Sequence, residues 1–115
     1  MLMESTRQKK ISRLLQKELA EILRQKTTEM ARGKMLTVTN VRVSPDLSLA
    51  KIYLSIFPSE KSEEILGNIT DNTPRIRNEL GSKVRNQLRI IPEIAFYLDD
   101  SLDYIDNIDN LLNKD

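Results

Sequence analysis

The 115-residue chain has no cysteine, no histidine and no tryptophan. Without cysteine there is neither a disulfide framework nor thiolate chemistry. Without histidine the Ser-His-Asp and Cys-His arrangements, imidazole metal sites and the usual acid–base catalyst near neutral pH all fall away. Two Phe and three Tyr leave few stacking platforms. Gly33, Gly67 and Gly81 are far apart, so a phosphate-cradling loop of the P-loop or dinucleotide type is missing. No apolar run approaches membrane-spanning length, and the first residues lack a signal-peptide hydrophobic region. The expectation is a soluble cytoplasmic protein with no cofactor, no metal and no membrane partner.

What is present is an ordinary globular balance of 39% hydrophobic and 30% charged residues, enough to bury a core in one domain, 1–115. The net charge of +1 conceals a strong segregation. Residues 1–34 hold nine basic and four acidic residues, a net +5, and residues 35–74 hold three and five, a net −2. Residues 75–91 hold five basic and one acidic, a net +4, whereas residues 92–115 hold one and seven, a net −6. A polyanion responds to the local potential, so two basic segments matter more than the total.

Ser5 and Gln8 form a capping box ahead of a helical stripe, Ile11, Leu14, Leu15, Leu19, Ile22 and Leu23, which places a first helix at about residues 5–29. Thr37–Ser44 and Leu49–Phe57 read as strands, and Ser44-Pro45-Asp46-Leu47-Ser48 between them is turn chemistry, giving an antiparallel hairpin. Ala50, Ile52, Leu54 and Ile56 face one way and Lys51, Tyr53, Ser55 and Phe57 the other. A short helix is expected from a Ser59 cap to about Gly67. The next starts with Thr73 as N-cap and Pro74 at its first position, carries Ile76, Leu80, Val84 and Leu88, and ends at Pro92. Gly81 inside it suggests close packing against a neighbour. Ile94–Leu98 is a third strand. A last helix, about residues 100–115, is acidic, with Tyr104, Ile105, Ile108, Leu111 and Leu112 as its apolar face.

The acids Asp99, Asp100, Asp103, Asp106 and Asp109 lack EF-hand spacing, and their plain reading is a solvated helix face rather than a metal site or a carboxylate enzyme. The basic residues carry more. Arg75, Arg77, Lys83, Arg85 and Arg89 on one predicted helix, and Arg7, Lys10, Arg13 and Lys17 on another, are the candidate phosphate contacts. Tyr53 and Phe57 point away from the apolar side of the hairpin. They are expected to pack at the sheet rim or under the last helix, with base stacking as the other possibility.

Val41-Arg42-Val43-Ser44-Pro45-Asp46-Leu47-Ser48-Leu49-Ala50-Lys51-Ile52-Tyr53-Leu54-Ser55 resembles the hairpin signature of the bacterial ribosome-binding factor A family. Arg77-Asn78-Glu79-Leu80-Gly81 and the run from Leu88 to Ser101 resemble its second signature, and the Arg-rich first helix fits it too. The resemblance implies an α+β, type II KH-like domain in the order α-β-β-α-α-β plus a C-terminal helix, with helices on one face of a three-stranded sheet. It also implies a non-enzymatic assembly factor, active above all in the cold. Such a factor binds the maturing small ribosomal subunit and its rRNA, promotes processing of precursor rRNA and leaves before translation. The family's Ala-x-Gly helix kink falls, by register from Gly81, on Asn72, Thr73 and Pro74, where Pro74 supplies the bend. A monomer is expected, with no small-molecule substrate. The alternative reading is an adaptor whose acidic last helix binds a basic ribosomal or other protein.

Overall fold

A computed structural model describes residues 5–99. Its elements are α1 (Thr6–Gln25), α2 (Thr27–Ala31), β1 (Met35–Val43), β2 (Leu49–Phe57), α3 (Ser62–Asp71), α4 (Thr73–Val84) and β3 (Glu93–Leu98). The strands form one sheet in the order β1-β2-β3. β1 and β2 are antiparallel, whereas β3 returns parallel to β2 after the α3–α4 crossover, as a parallel connection requires. The last predicted helix lies outside the described residues.

The α1 start follows the sequence signal. Ser5 Oγ accepts from the Gln8 N–H at 3.1 Å and Gln8 Oε1 accepts from the Ser5 N–H at 2.8 Å, closing the capping box. Gln8 is itself buried, its Nε2 donating to the Val43 carbonyl, so the cap also ties α1 to the end of β1. The helix ends earlier than the predicted residue 29. Thr27 Oγ1 donates to the Leu23 and Arg24 carbonyls and Lys26 N–H bonds the Leu23 carbonyl, which interrupts the regular ladder and sets α2 off as a separate turn. Arg32 (φ 53°) and Gly33 (φ 81°), both left-handed, then end α2.

Both ends of the next two helices also differ from expectation. Ser59 closes a turn by accepting from the Ser62 N–H, and left-handed Lys61 precedes α3, which runs past Gly67 to Asp71. α4 ends at Val84 instead of reaching Pro92. Leu88 still packs against the core from a following turn, which is why the i+4 stripe continues beyond the helix. Arg89 therefore stands in a loop and not on the helix. Thr73 lies inside α4 and Asn72 takes the flanking position, with no side-chain cap.

The core lies between the helices and one sheet face. Leu15, Leu19, Ile22 and Leu23 of α1 meet Ile52 and Leu54 of β2, Ile65 and Ile69 of α3, and Ile76, Leu80 and Val84 of α4, all fully buried. Each such side chain contributes about 1.5–3 kcal/mol by leaving water. A bulge at Thr39 of β1 shifts the register, so that Val38 pairs with Leu54 and Asn40 with Tyr53.

Candidate nucleic-acid interface

Three pairs fix how α1, α2 and α4 lie together. Arg75 of α4 binds Glu29 of α2 at 2.6 Å, Lys26 at the end of α1 binds Glu79 at 2.6 Å, and Glu21 of α1 feels the charge of Lys83. As α1 is followed backwards, α4 runs forwards: the two helices are antiparallel. The N-terminal half of α1, bearing Arg7, Lys10, Arg13 and Lys17, therefore extends beyond the C-terminal end of α4, where Lys83, Arg85 and Arg89 lie. All four α1 cations are exposed. Helical geometry puts Arg7 and Lys10 on the flank of half-buried Leu14 and Glu21 that faces α4, with Lys17 and Arg13 turned further toward water.

The cations of α4 divide between two flanks. Arg75 and Lys83 lie toward α1 and α2, where carboxylates meet them. Arg75 is raised above its ordinary pKa by the hydrogen bond from its guanidinium to Glu29, and Glu29 is lowered by the same bond. Glu21 is lowered chiefly by its hydrogen bond from Arg24, with Lys83 adding a weaker attraction. Arg77 and Arg85 lie on the other flank. There Pro74, Arg77, Asn78, Gly81, Ser82, Arg85 and Ile91 line an open groove between α4 and the loop that leads to β3, and Arg75, though paired with Glu29, borders the same groove. Arg85 and Arg89 are exposed, and no ion pair with either occurs among the described residues.

Arg77 has a structural task that the sequence did not reveal. Its Nη2 donates to the Ile91 carbonyl at 2.7 Å and its Nε to the Pro92 carbonyl at 3.1 Å. The guanidinium thus clamps the 88–92 loop onto α4 and sets the far wall of the groove. Asn78 and Ser82 share that outer face with Arg75 and Arg85; the i, i+4 spacing of Asn78 and Ser82, with Arg85 a further three residues on, is the signal in the sequence. Gly81 faces Ile91, but an added Cβ would sit 3.6 Å from Ile91 Cγ1, an ordinary contact, so close packing does not explain the glycine.

Asn72 stands where α3 gives way to α4, its N–H reaching the Asn68 and Ile69 carbonyls and its side-chain amide donating to the Asn68 carbonyl at 2.8 Å. Thr73 and Pro74 follow as the first turn of α4, Pro74 needing no N–H partner there. No group of three or more acids placed to hold a metal ion occurs among the described residues, and Asp100 through Asp109 lie outside them. No helix there is long and apolar enough to cross a membrane.

A family model described as ribosome-binding factor A matches residues 7–112. The ribosome-binding factor A of Christiangramia forsetii is 50% identical over 107 residues, 92% of this chain and 82% of that protein. The crystal structure of ribosome-binding factor A from Thermus thermophilus superposes with a TM-score of 0.67 at 25% identity, covering 79% of this chain and 94% of that one. A homology model of the Thermus thermophilus factor, fitted into a cryo-EM map of a 30S–factor complex, superposes with a TM-score of 0.55 at 26% identity, covering 76% of this chain and 89% of that one. The fold shared with these structures is KH-like, with helices on one face of a three-stranded sheet.

Proposed function

The chain belongs to the ribosome-binding factor A family, and on that footing we propose that it binds the maturing small ribosomal subunit through rRNA phosphates and promotes processing of the precursor rRNA without catalysing a reaction. One observation carries the reading: antiparallel packing of α1 on α4 sets the cationic N-terminal half of α1 beside the cationic end of α4. Exposed Arg85, Arg89 and Lys83 are the first contacts, with Arg7, Lys10, Arg13 and Lys17 extending them. Arg75 and Arg77 flank the surface with part of their hydrogen-bonding capacity already used.

Phosphate contacts position a protein on RNA without reading its sequence, which suits a factor that recognises a folded shape. Binding one rRNA conformation better than another shifts the folding equilibrium toward it, and no bond need be made or broken. The Thermus homologue fitted to a 30S particle supports the small subunit as the target. The protein acts as a cytoplasmic monomer in this reading.

Sucrose-gradient sedimentation with cell extract tests it. The protein is expected to travel with free small subunits and to be absent from translating ribosomes. Charge reversal at Arg85 and Arg89 should move it to the top of the gradient. If that variant still sediments with the subunit at unchanged salt sensitivity, the phosphate surface lies elsewhere.

A further inference from the structure

The helices cover one face of the sheet, and among the described residues no element covers the other. Residues 5–99 contain four aromatic side chains, of which Phe96 is buried in the core while Tyr53, Phe57 and Tyr97 stand on the open face. Tyr53 and Tyr97 are register partners on β2 and β3, their rings stacked with centroids 5.6 Å apart and planes at 28°. Arg42 and Lys51, partners across β1 and β2, raise two cations beside them, and Asn40 sits opposite Tyr53. At the far end of β2, Phe57 is 69% exposed beside Met35 at 65%. An aromatic side chain buries a large apolar area when it is used for stability. Leaving Phe57 and Tyr97 exposed and Tyr53 half-buried beneath Tyr97, with donors alongside, points to a ligand with flat faces.

We propose that this open face binds single-stranded RNA, with bases stacking on Tyr53, Tyr97 and Phe57 and phosphates pairing with Arg42 and Lys51. Aromatic platforms interleaved with cations are the general means of holding unpaired nucleotides. Tyr53 and Phe57 are four strand residues apart, about 13 Å, so a strand that reaches both has unstacked bases. Glu93 and Asp99 also border this face, and the Asp99 carboxylate accepts from the Thr39 hydroxyl. Two cations beside two carboxylates leave stacking as the main source of affinity. The site lies on the opposite side of the sheet from the cationic helices and does not depend on their role.

Titration of the full chain with a uridine octamer, followed by NMR, tests this. Shifts are expected at Arg42, Lys51, Tyr53, Phe57 and Tyr97. Two phosphate contacts predict a shallow dependence of log affinity on log salt, with a slope of about −1.4. Tyr53→Leu with Tyr97→Leu should weaken octamer binding at least ten-fold, and a duplex of equal length should bind at least ten-fold more weakly than the octamer. Should the double variant fail to fold, exposed Phe57→Leu gives the same test with an expected loss of three-fold or more. The proposal is overturned if the octamer does not bind, if its shifts fall on α4, if the duplex binds as well, or if the leucine variants bind like the parent. A face held by a second copy or by residues 100–115 would give one of those results.

Discussion

Lys26 Nζ lies 2.6 Å from Glu79 Oε1, and the two partners are unequally wet: 9% of the lysine side chain is exposed against 36% of the glutamate. The pair joins the end of α1 to the middle of α4, and so sets the alignment of the two cationic helices. A charge left alone in a mostly buried position costs more than the pair itself contributes. Glu79→Gln, which leaves the lysine buried without its partner charge, should therefore lower stability by about 1–3 kcal/mol. Lys26→Met, which keeps the stem and removes the charge, should cost about 1 kcal/mol or less. Urea denaturation of both variants checks this; equal losses would mean that Lys26 reaches water in the folded state.

Gly81 offers a gain. It sits in the interior of α4, and the nearest atom to an added methyl is at ordinary contact distance. Gly81→Ala should raise stability by up to about 1 kcal/mol, since Gly is that much worse than Ala in a helix. For a domain of this size that is a rise of up to about 4 °C in Tm. The methyl would project into the groove beside Arg77 and Arg85. If subunit affinity falls while Tm rises, the glycine serves the approach of RNA backbone.

The hairpin turn responds to acid through Asp46. Its carboxylate accepts from the Ser44 hydroxyl at 2.7 Å, the Ser48 hydroxyl at 2.7 Å and the Ser48 N–H at 3.1 Å. These bonds, the Ser44 hydroxyl foremost, hold its pKa down to about 2 from an ordinary 3.8. A carboxylate lowered on folding adds stability that is complete above the unfolded value and disappears as pH falls through the folded one. The contribution of Asp46 should thus fade between about pH 4 and pH 2. Asp46→Asn should be less stable than the parent at pH 5, and the difference should narrow toward pH 2. Denaturation midpoints across that range decide it; a constant difference would remove the carboxylate from the account.

Much of the architecture is legible in the order of residues. The strict alternation from Ala50 to Phe57 fixes which face of β2 is buried, because a pleated strand sends successive side chains to opposite sides. The capping box at Ser5 and Gln8 places the start of α1 for an equally local reason. Helix ends are less legible. Thr27 interrupts α1 by bonding to carbonyls one turn back, and Leu88 continues the apolar period from outside the helix. Neither effect shows in a periodicity. The candidate site is legible as a set of charges but not as geometry. That Arg75 meets Glu29 and Arg77 holds the carbonyls of residues 91 and 92 depends on elements brought together by the fold.

Arg77 and the pair Arg85 and Arg89 should therefore separate stability from phosphate binding. The Arg77 guanidinium commits two donors to backbone carbonyls, and replacing it frees the loop that carries Arg89 and Ile91. Arg77→Gln should cost about 1–2 kcal/mol in urea denaturation, in line with two lost hydrogen bonds to a half-exposed loop. Its effect on subunit affinity should be similar at low and high salt, because it disturbs a wall of the groove more than a charge. Arg85→Gln and Arg89→Gln touch nothing structural, so stability should stay within about 0.5 kcal/mol. Each should instead reduce the slope of log affinity against log salt by about one, as the loss of a phosphate contact does. Measuring affinity for purified small subunits at four salt concentrations distinguishes the two behaviours. A change of slope in Arg77→Gln as large as in Arg85→Gln would mean that the clamp opens on binding and hands its guanidinium to a phosphate.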